Sequence, residues 1–411
     1  MRIIASSNKR AVRQLVERAQ ATDVGLERRV ARIVNDVRRR GDHAVRDYAR
    51  KFDRLTGSLE LTAAEIRRGA REAPPAVRAA ITVAARHIRR VAAKQLPRVW
   101  STSVVPGVVI EQRVTPLERV GCYVPGGRYP LPSSLLMTAI PARVAGVRHV
   151  VAACPSPEPA VLAAAVEAGV SRLFRMGGAH AIAAFAYGTA TVPRVDKIVG
   201  PGNAYVATAK ARVAPHCAID FYAGPTEIVV VATTGKPEWI AADLVAQAEH
   251  DPDARAVCVT TSRRLARAVV AAVDSQVADH PVARPSLDRH GVVVVARSVS
   301  DAVDLANQIA PEHAVCDTVA IARRLTMAGT VFVGPYAAQA AGDYATGSNH
   351  VLPTGGVARF RGGLSASDFV RVNSVQRLTR RGLRRLAPSV LSLANAEGLR
   401  AHAASVAMRV L

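Results

Sequence analysis

The sequence predicts an α/β fold built on largely parallel β-sheets. Between residues 147 and 333, short runs rich in valine and isoleucine alternate with alanine-rich segments of helical length. This order is typical of chains in which each helix connects two parallel strands. The chain has 411 residues, more than one ordinary core accommodates, and the alternation is long enough for two sheets. The predicted strands are 147–153, 195–199, 227–232, 256–260, 291–296 and 330–333.

Helical patterns flank and connect these strands. Residues 10–100 are predicted to be helical, and in 24–52 apolar residues recur every three or four positions with arginines on the other face. Residues 365–411 are rich in arginine and alanine and are predicted to form a helical appendage outside the sheets. Connecting helices are predicted at 160–168, 182–187 and 238–249.

The composition is that of a folded globular protein, with 49% hydrophobic and 21% charged residues. No apolar run approaches the roughly 18 residues of a membrane span, and residues 1–15 are polar, so we expect neither a membrane partner nor secretion. The five cysteines are scattered and form no C-x-x-C pair, which favours buried thiols in a reducing compartment. We therefore expect a cytoplasmic protein.

The formal net charge is +23, and most of it comes from arginine, with clusters at 28–40 and 371–385. A nucleic-acid surface is one interpretation of such charge. However, aromatic residues are only 4% of the chain and do not interleave with the basic runs, so stacking on bases has little support. We favour solvated helix faces and expect no nucleic-acid partner.

Three glycine-rich turns lie at 123–127, 176–180 and 199–203, the last directly after a predicted strand. Glycine lets a backbone approach a phosphate, and a following helix N-terminus favours the anion. No G-x-G-x-x-G pattern is present, so each turn alone is also compatible with an ordinary strand-to-helix connection. The three together favour a nucleotide crevice.

Two pairs of polar residues have spacings that suit chemistry. Gln247 and His250 are three apart near the end of a predicted helix and share a face, where they could bind a metal or simply cap the helix. Glu312 and His313 follow a proline, and an adjacent carboxylate and imidazole suit proton transfer, although an exposed polar pair would look the same.

Two further pairs lie closer to the C-terminus. Asp343 and His350 belong to a glycine-punctuated loop, the kind of segment in which sites occur. Glu397 and His402 are five apart, and their spacing alone assigns them no role. Together the four pairs supply enough imidazoles, carboxylates and amides for a zinc site with one open position.

The motifs resemble those of the histidinol dehydrogenase family in order and spacing, from about residue 20 to the C-terminus. Members of that family oxidise L-histidinol to L-histidine through L-histidinaldehyde, the last step of histidine biosynthesis, with two NAD and one Zn²⁺. The resemblance implies two hydride transfers to NAD. The motifs that carry it are V-G-P-G-N at 199–203, A-G-P-T-E at 223–227, Q-A-E-H at 247–250, A-P-E-H at 310–313, G-D-Y at 342–344, N-H-V-L-P-T at 349–354 and E-G-L-R-A-H at 397–402.

The resemblance also implies a role for each site residue. His313 would be the base and Glu312 would activate water. The zinc ligands would be Gln247, His250, Asp343 and His402. The substrate L-histidinol would contact Thr226, Gln247, His250, His313, Asp343, His350, Glu397 and His402, and NAD would contact Tyr123, His180 and Asn203.

The family's architecture is two incomplete Rossmann-like sandwich domains, an N-terminal helical region and a C-terminal helical tail exchanged between subunits. The resemblance therefore implies an intertwined homodimer with shared active sites, in which His402 and Glu397 serve the neighbouring subunit. In this chain the first α/β domain would comprise 1–122 and 228–364, the second, NAD-associated domain 123–227, and the tail 365–411.

Four residues depart from the family pattern. Thr226 stands where serine is usual, His180 where glutamine is usual, and Phe221-Tyr222 is bulkier than usual. Because related enzymes oxidise other small alcohols, including sulfonated diols, such a substrate is an alternative. A nucleic-acid-binding protein and a zinc-free structural relative are the alternatives from other classes.

Overall fold

The computed structural model describes residues 1–17, 23–126, 129–222 and 224–410. Within these residues the strands form two six-stranded, mostly parallel sheets and one three-stranded antiparallel sheet. The strands are β1 (Arg2–Ala5), β2 (Glu60–Leu61), β3 (Trp100–Val105), β4 (Val108–Pro116), β5 (Arg119–Tyr123), β6 (His149–Ala153), β7 (Arg172–Phe174), β8 (Lys197–Val199), β9 (Ala218–Ile219), β10 (Glu227–Ala232), β11 (Arg255–Thr260), β12 (Val292–Val295), β13 (His313–Cys316), β14 (Thr330–Val333) and β15 (Val370–Leu378).

Helices cover both faces of the two larger sheets. They are α1 (Lys9–Val16), α2 (Val24–Arg40), α3 (Asp42–Asp53), α4 (Ala63–Glu72), α5 (Pro75–Lys94), α6 (Pro132–Val144), α7 (Pro159–Glu167), α8 (Gly178–Tyr187), α9 (Ala204–Val213), α10 (Pro237–Ala248), α11 (Arg263–Gln276), α12 (Ala283–His290), α13 (Val299–Ile309), α14 (Val319–Ala322), α15 (Gln339–Tyr344), α16 (Arg380–Ala396) and α17 (Arg400–Val410). Short 3₁₀ helices occupy Val277–Asp279, Val357–Arg359 and Ala366–Phe369.

The first sheet has the order β1-β12-β11-β10-β13-β14, and all its pairs are parallel. Its central strands are nearly continuous runs of valine and isoleucine because side chains on both faces are buried. Alternate residues of β10 face opposite cores: Ile228 and Val230 pack with α10, α11 and α12, and Val229 with α1, α13 and α14.

The second sheet has the order β2-β7-β6-β5-β8-β9, and only the short β2 runs antiparallel to its neighbour. Helices α4 to α7 cover one face, and α2, α3, α8 and α9 cover the other. The strand order reverses at β5, which pairs with β6 on one side and with β8 on the other. This reversal is a topological switch point, where open α/β sheets form a crevice at the carboxyl ends of their strands.

The N-terminal helices lie with the second sheet. We expected residues 1–122 to accompany the first sheet, but only β1 and α1 of that region do so. The apolar faces of α2 to α5 pack on the second sheet, and β5 is one of its central strands. The amphipathic pattern at 24–52 is two helices, because Gly41, with φ of +55°, separates α2 from α3.

The C-terminal tail contains a strand that we did not expect. β15 pairs antiparallel with β4 over nine residues, and β3 completes this third sheet. The helical prediction was therefore wrong at residues 370–378, where apolar and polar residues partly alternate with the period of a strand. α16 and α17 follow and pack against each other. Several apolar side chains on these elements and in the turn between α16 and α17 are exposed, namely Val372, Leu378, Leu393, Leu399 and Met408.

Two sequence predictions on the chain's environment can be compared with the structure. All five cysteines are buried and unpaired, and burial raises the pKa of the Cys122 and Cys258 thiols to about 12. Within the described residues, no helix combines the length and apolar character needed to cross a lipid bilayer.

Candidate active site

The best-formed polar cluster lies at the amino end of two adjacent parallel strands. Thr226 directly precedes β10, Glu312 directly precedes β13, and His313 is the first residue of β13. Because β10 and β13 pair with Ile228 opposite His313, residues 86 positions apart in the chain come into contact. The sequence predicted both motifs as functional, and the sheet brings them together.

Thr226 connects Gln247 with Glu312 by hydrogen bonds. Gln247, on the last turn of α10, donates from Nε2 to Thr226 Oγ1 over 2.5 Å, and Thr226 Oγ1 in turn donates to Glu312 Oε2. The same oxygen of Glu312 accepts from the amide of Glu227 at 3.0 Å. Gln247 is fully buried, and its Oε1 has no hydrogen-bond partner. This oxygen is free to bind a cation or a donor group.

His313 lies between two carboxyl groups. Its Nδ1 is 3.8 Å from Glu312 Oε2, and its Nε2 is 3.9 Å from Asp343 Oδ1. Gln339, four residues before Asp343 on α15, donates from Nε2 to Asp343 Oδ2 at 2.8 Å and lies 3.4 Å from His313 Nε2. The imidazole is 4% exposed, and its Nδ1 has no hydrogen-bond partner.

Burial sets the protonation of this cluster. It raises the pKa of Glu312 to about 8, against the opposing hydrogen bonds from Thr226 and Glu227. It also lowers the pKa of His313 to about 4, against the opposing charge of Asp343. At neutral pH Glu312 is therefore protonated and His313 is neutral, so the imidazole can accept a proton.

His350 is held beside this cluster by its own loop and by α6. Its Nδ1 lies 2.8 Å from the carbonyl oxygen of Asp343, and its Nε2 lies 3.4 Å from Ser134 Oγ. The side chain of Asn349 donates to the carbonyl of Met137 at 2.7 Å, which fixes the loop on the second sheet's helices. Burial lowers the pKa of His350.

The other predicted metal and substrate residues are exposed. α10 ends at Ala248 instead of continuing to His250, so His250 lies in the turn just beyond Gln247. Glu397 and His402 lie on either side of Gly398, where α16 gives way to α17, and their side chains make no hydrogen bond or ion pair within the described residues. In the described part of the chain, no three His, Cys, Asp or Glu side chains form a group that could hold a metal.

The three residues predicted to contact NAD lie beyond the carboxyl ends of strands in the second sheet. Tyr123 ends β5, and its hydroxyl accepts from the amide of Gly178 at 3.1 Å. Asn203 follows β8, where its side chain caps the start of α9. β5 and β8 flank the switch point, so these two residues lie at the crevice that the topology creates.

His180, in the first turn of α8, has a different environment from these two. Its ring is 1% exposed, and its Nε2 lies 2.9 Å from Asp53 Oδ2. Asp53 Oδ2 also accepts from the amide of Gly177 at 2.8 Å. This buried pair therefore holds the glycine turn that precedes α8.

Sequence reasoning missed Gln339, Ser134 and Asp53. The four-residue spacing of Gln339 and Asp343 places them on one helix face and could have revealed the first. Asp53 is 127 residues from His180, and Ser134 is 216 residues from His350, so no local pattern indicates either contact.

The fold contains two β-sheets covered by helices. A buried imidazole between carboxyl groups and a crevice at a switch point are features typical of an α/β enzyme. The model of the histidinol dehydrogenase family matches residues 16–410. Histidinol dehydrogenase from Geobacter sulfurreducens is 46% identical over 96% of each chain, and that from Syntrophotalea carbinolica is 47% identical over 97% of this chain and 96% of the relative. The crystal structure of histidinol dehydrogenase from Elizabethkingia anophelis, 32% identical, superposes with a TM-score of 0.94 and covers 100% of this chain and 97% of that one. The chain belongs to the histidinol dehydrogenase family, a family of oxidoreductases.

The Asp53–His180 pair gives a stability prediction. Asp53→Ala leaves His180 Nε2 and the amide of Gly177 without their buried acceptor, and each unsatisfied group costs about 1–3 kcal/mol. We expect the free energy of unfolding in urea to fall by at least that amount. Asp47→Ala is the matched control, because Asp47 is on the same helix with a half-exposed side chain. Equal losses for the two variants would contradict the assigned role of the pair.

Proposed function

We propose that this enzyme oxidises L-histidinol to L-histidine through L-histidinaldehyde, in two successive hydride transfers to NAD. The observation that carries the proposal is the cluster of Gln247, Glu312, His313 and Asp343, which contains a buried neutral imidazole and a buried, unpartnered amide oxygen. The family assignment over nearly the whole chain supports histidinol as the substrate. The family assignment does not favour a sulfonated diol, the alternative substrate.

The donor set fits a zinc ion. Gln247 Oε1 is buried and unpartnered, the carboxylate of Asp343 belongs to the same cluster, and His250 follows Gln247 in the chain. Together with His402 of the partner subunit, these residues would hold one Zn²⁺. When bound, the metal would orient and polarise the imidazole and amine of the substrate.

His313 is the base in both oxidations. In the first, its neutral ring takes the hydroxyl proton as the carbon-bound hydride passes to NAD, which gives the aldehyde, NADH and a proton. Glu312, as a carboxylate, then takes a proton from water, whose oxygen bonds to the aldehyde carbon. His313 returns its proton to the aldehyde oxygen, so that a hydrated aldehyde forms and the imidazole is neutral again. In the second, His313 takes a proton from this diol as its hydride passes to a second NAD, which leaves the carboxylic acid.

Residues around the cluster hold the substrate and the cofactor. Thr226 and His350 would line the substrate pocket next to His313, and Glu397 would reach the pocket of the neighbouring subunit. Tyr123 and Asn203 would bind NAD at the switch-point crevice. Since the Nε2 of His180 is engaged by Asp53, we assign its contribution to the shape of the Gly177–Gly178 turn.

The proposal includes a homodimer with shared sites. The exposed apolar side chains of β15, α16 and α17 support a surface that a second copy covers. A crossed tail would also explain why the side chains of Glu397 and His402 make no hydrogen bond or ion pair within the described residues. On this basis 365–411 is the exchanged segment, 123–227 is the core of the NAD-associated domain, and the site is completed by two chains.

The first experiment measures NADH formed per L-histidinol consumed, with and without a metal chelator. We expect a ratio of two, loss of activity with chelator and recovery on addition of zinc, because both oxidations occur in one site. A ratio of one would contradict the proposal that the aldehyde remains bound for the second oxidation. Absence of NADH would contradict the proposal that histidinol is the substrate. Activity that survives the removal of bound metal, confirmed by metal analysis, would contradict the zinc site.

The pKa of Glu312 predicts the pH dependence of turnover. Because burial raises this pKa to about 8, the carboxylate that activates water increases as pH rises through that value. His313 is already neutral there, since its pKa is about 4. The rate of histidinaldehyde oxidation should therefore rise between about pH 7 and 9. Glu312→Gln should abolish this rise along with most activity; an unchanged profile in that variant would show that another group titrates.

Subunit exchange is tested with two inactive variants. His250→Ala and His402→Ala each remove one proposed ligand. If a site takes these residues from different chains, a hybrid dimer contains one intact site. Mixing and refolding equal amounts should then restore about a quarter of the wild-type activity. Each variant refolded alone is the control, and no recovery in the mixture would exclude the exchanged tail.

A further inference from the structure

A buried ion pair lies beneath the turn that follows β8. Lys210, on α9, and Asp220, just after β9, are each 2% exposed, and Lys210 Nζ contacts Asp220 Oδ1. Keeping two charges out of water costs several kcal/mol per ion unless geometry and further hydrogen bonds compensate. The further hydrogen bonds of this pair therefore indicate what the pair holds in place.

Both members of the pair bind the backbone of Gly200. The amide of Gly200 donates to Asp220 Oδ2 at 2.8 Å, and Lys210 Nζ donates to the carbonyl of Gly200 at 2.9 Å. Gly200 has a φ of +121°, and a Cβ at this position would lie 2.1 Å from the carbonyl oxygen of Tyr123. Both the amide and the carbonyl of Gly200 are therefore hydrogen-bonded to the ion pair, and the turn packs closely against the end of β5.

The pair also reaches the segment that leads to Thr226. Asp220 Oδ1 accepts from the amide of Phe221 at 2.7 Å, at the start of that segment. On the other side, Gly200 is three residues from Asn203, the residue that caps α9. One ion pair therefore fixes the position of a proposed cofactor residue and the start of the segment that precedes the catalytic cluster.

We propose that Lys210 and Asp220 are positioning residues for dinucleotide binding. The pair holds the Gly200–Asn203 turn against Tyr123, so that the crevice at the switch point is formed before the cofactor arrives. Preorganisation of this kind contributes to affinity because the bound ligand does not have to order the turn. The inference rests on the proposed function, which places NAD at this crevice.

The test removes both charges together, since removing one leaves an uncompensated buried charge. In Lys210→Met with Asp220→Asn, the asparagine oxygen can still accept from an amide, but the carbonyl of Gly200 loses its donor. We expect the Kd for NADH, measured by fluorescence titration, and the KM for NAD to rise on the order of tenfold. The KM for histidinol should rise much less than the KM for NAD, because the pair contacts only the start of the segment that leads to Thr226 and no side chain of the catalytic cluster.

A second lysine–aspartate pair, which is less deeply buried, provides the matched control. Lys197, at the start of β8, lies 3.5 Å from Asp368 Oδ1 and donates to the carbonyl of Asp368 at 2.9 Å. Lys197→Met with Asp368→Asn disrupts a comparable pair at the opposite end of β8. We expect this variant to lose thermal stability without a change in NADH affinity.

The outcomes separate positioning from stability alone. Equal NADH affinity in the Lys210/Asp220 variant, the control and the wild type would overturn the proposal, whatever happens to the melting temperature. If the double variant is insoluble, Asp220→Glu replaces it, because it keeps both charges but lengthens the side chain that carries the carboxylate. A larger rise in the KM for NAD than in the KM for histidinol would support the proposal, and equal changes would overturn it. A wild-type enzyme that binds no NADH would instead contradict the proposed function.

Discussion

The parallel pairing of β10 with β13 is the constraint on which the site depends. The register that places Ile228 opposite His313 brings the residues just before each strand together at one edge of the sheet. The valine-rich faces of the sheet exclude water on both sides, so Glu312 and His313 lie at the edge of a dry core. The same burial that stabilises the sheet therefore keeps the imidazole neutral and the carboxyl group protonated at pH 7.

The two large sheets contribute different edges to function. The first provides the proposed catalytic cluster at the amino ends of its strands, where Thr226, Glu312 and His313 lie. The second provides the crevice at the carboxyl ends of β5 and β8. The loop that carries His350 and Asn349 connects the two, because it contacts α6 of the second sheet while Asp343 remains with the first. The geometry of the proposed active site therefore depends on the amino edge of the first sheet and on the carboxyl edge of the second.

Local patterns predicted four of the six strands of the first sheet but not β1 or β13. The predicted strands 227–232 and 330–333 coincide with β10 and β14. The predicted strand 256–260 differs from β11 by one residue at its start, and 291–296 differs from β12 by one residue at each end. Valine and isoleucine runs that are buried on both faces identify such strands without knowledge of their partners. The motifs around Gln247, Glu312 and Asp343 lie close together in the fold.

Local sequence patterns did not predict the contacts between distant parts of the chain. Nothing in residues 24–94 indicates which sheet their apolar faces cover, since any apolar surface of similar shape would suit them. β15 was missed because its partner β4 lies far away in the chain. The hydrogen bonds of Asp53 and Lys210 were missed for the same reason, as they depend on side chains that only the complete fold brings together.

The edge strand β1 has a consequence for how the polypeptide acquires its structure. Arg2 pairs with Val292, so β1 has no partner until most of the chain has left the ribosome. The second sheet, whose strands lie between residues 60 and 219, has all its partners earlier. Contacts between distant parts of a chain form slowly. The second sheet can therefore form earlier in translation than the first, whose closure requires β1 to pair with β12.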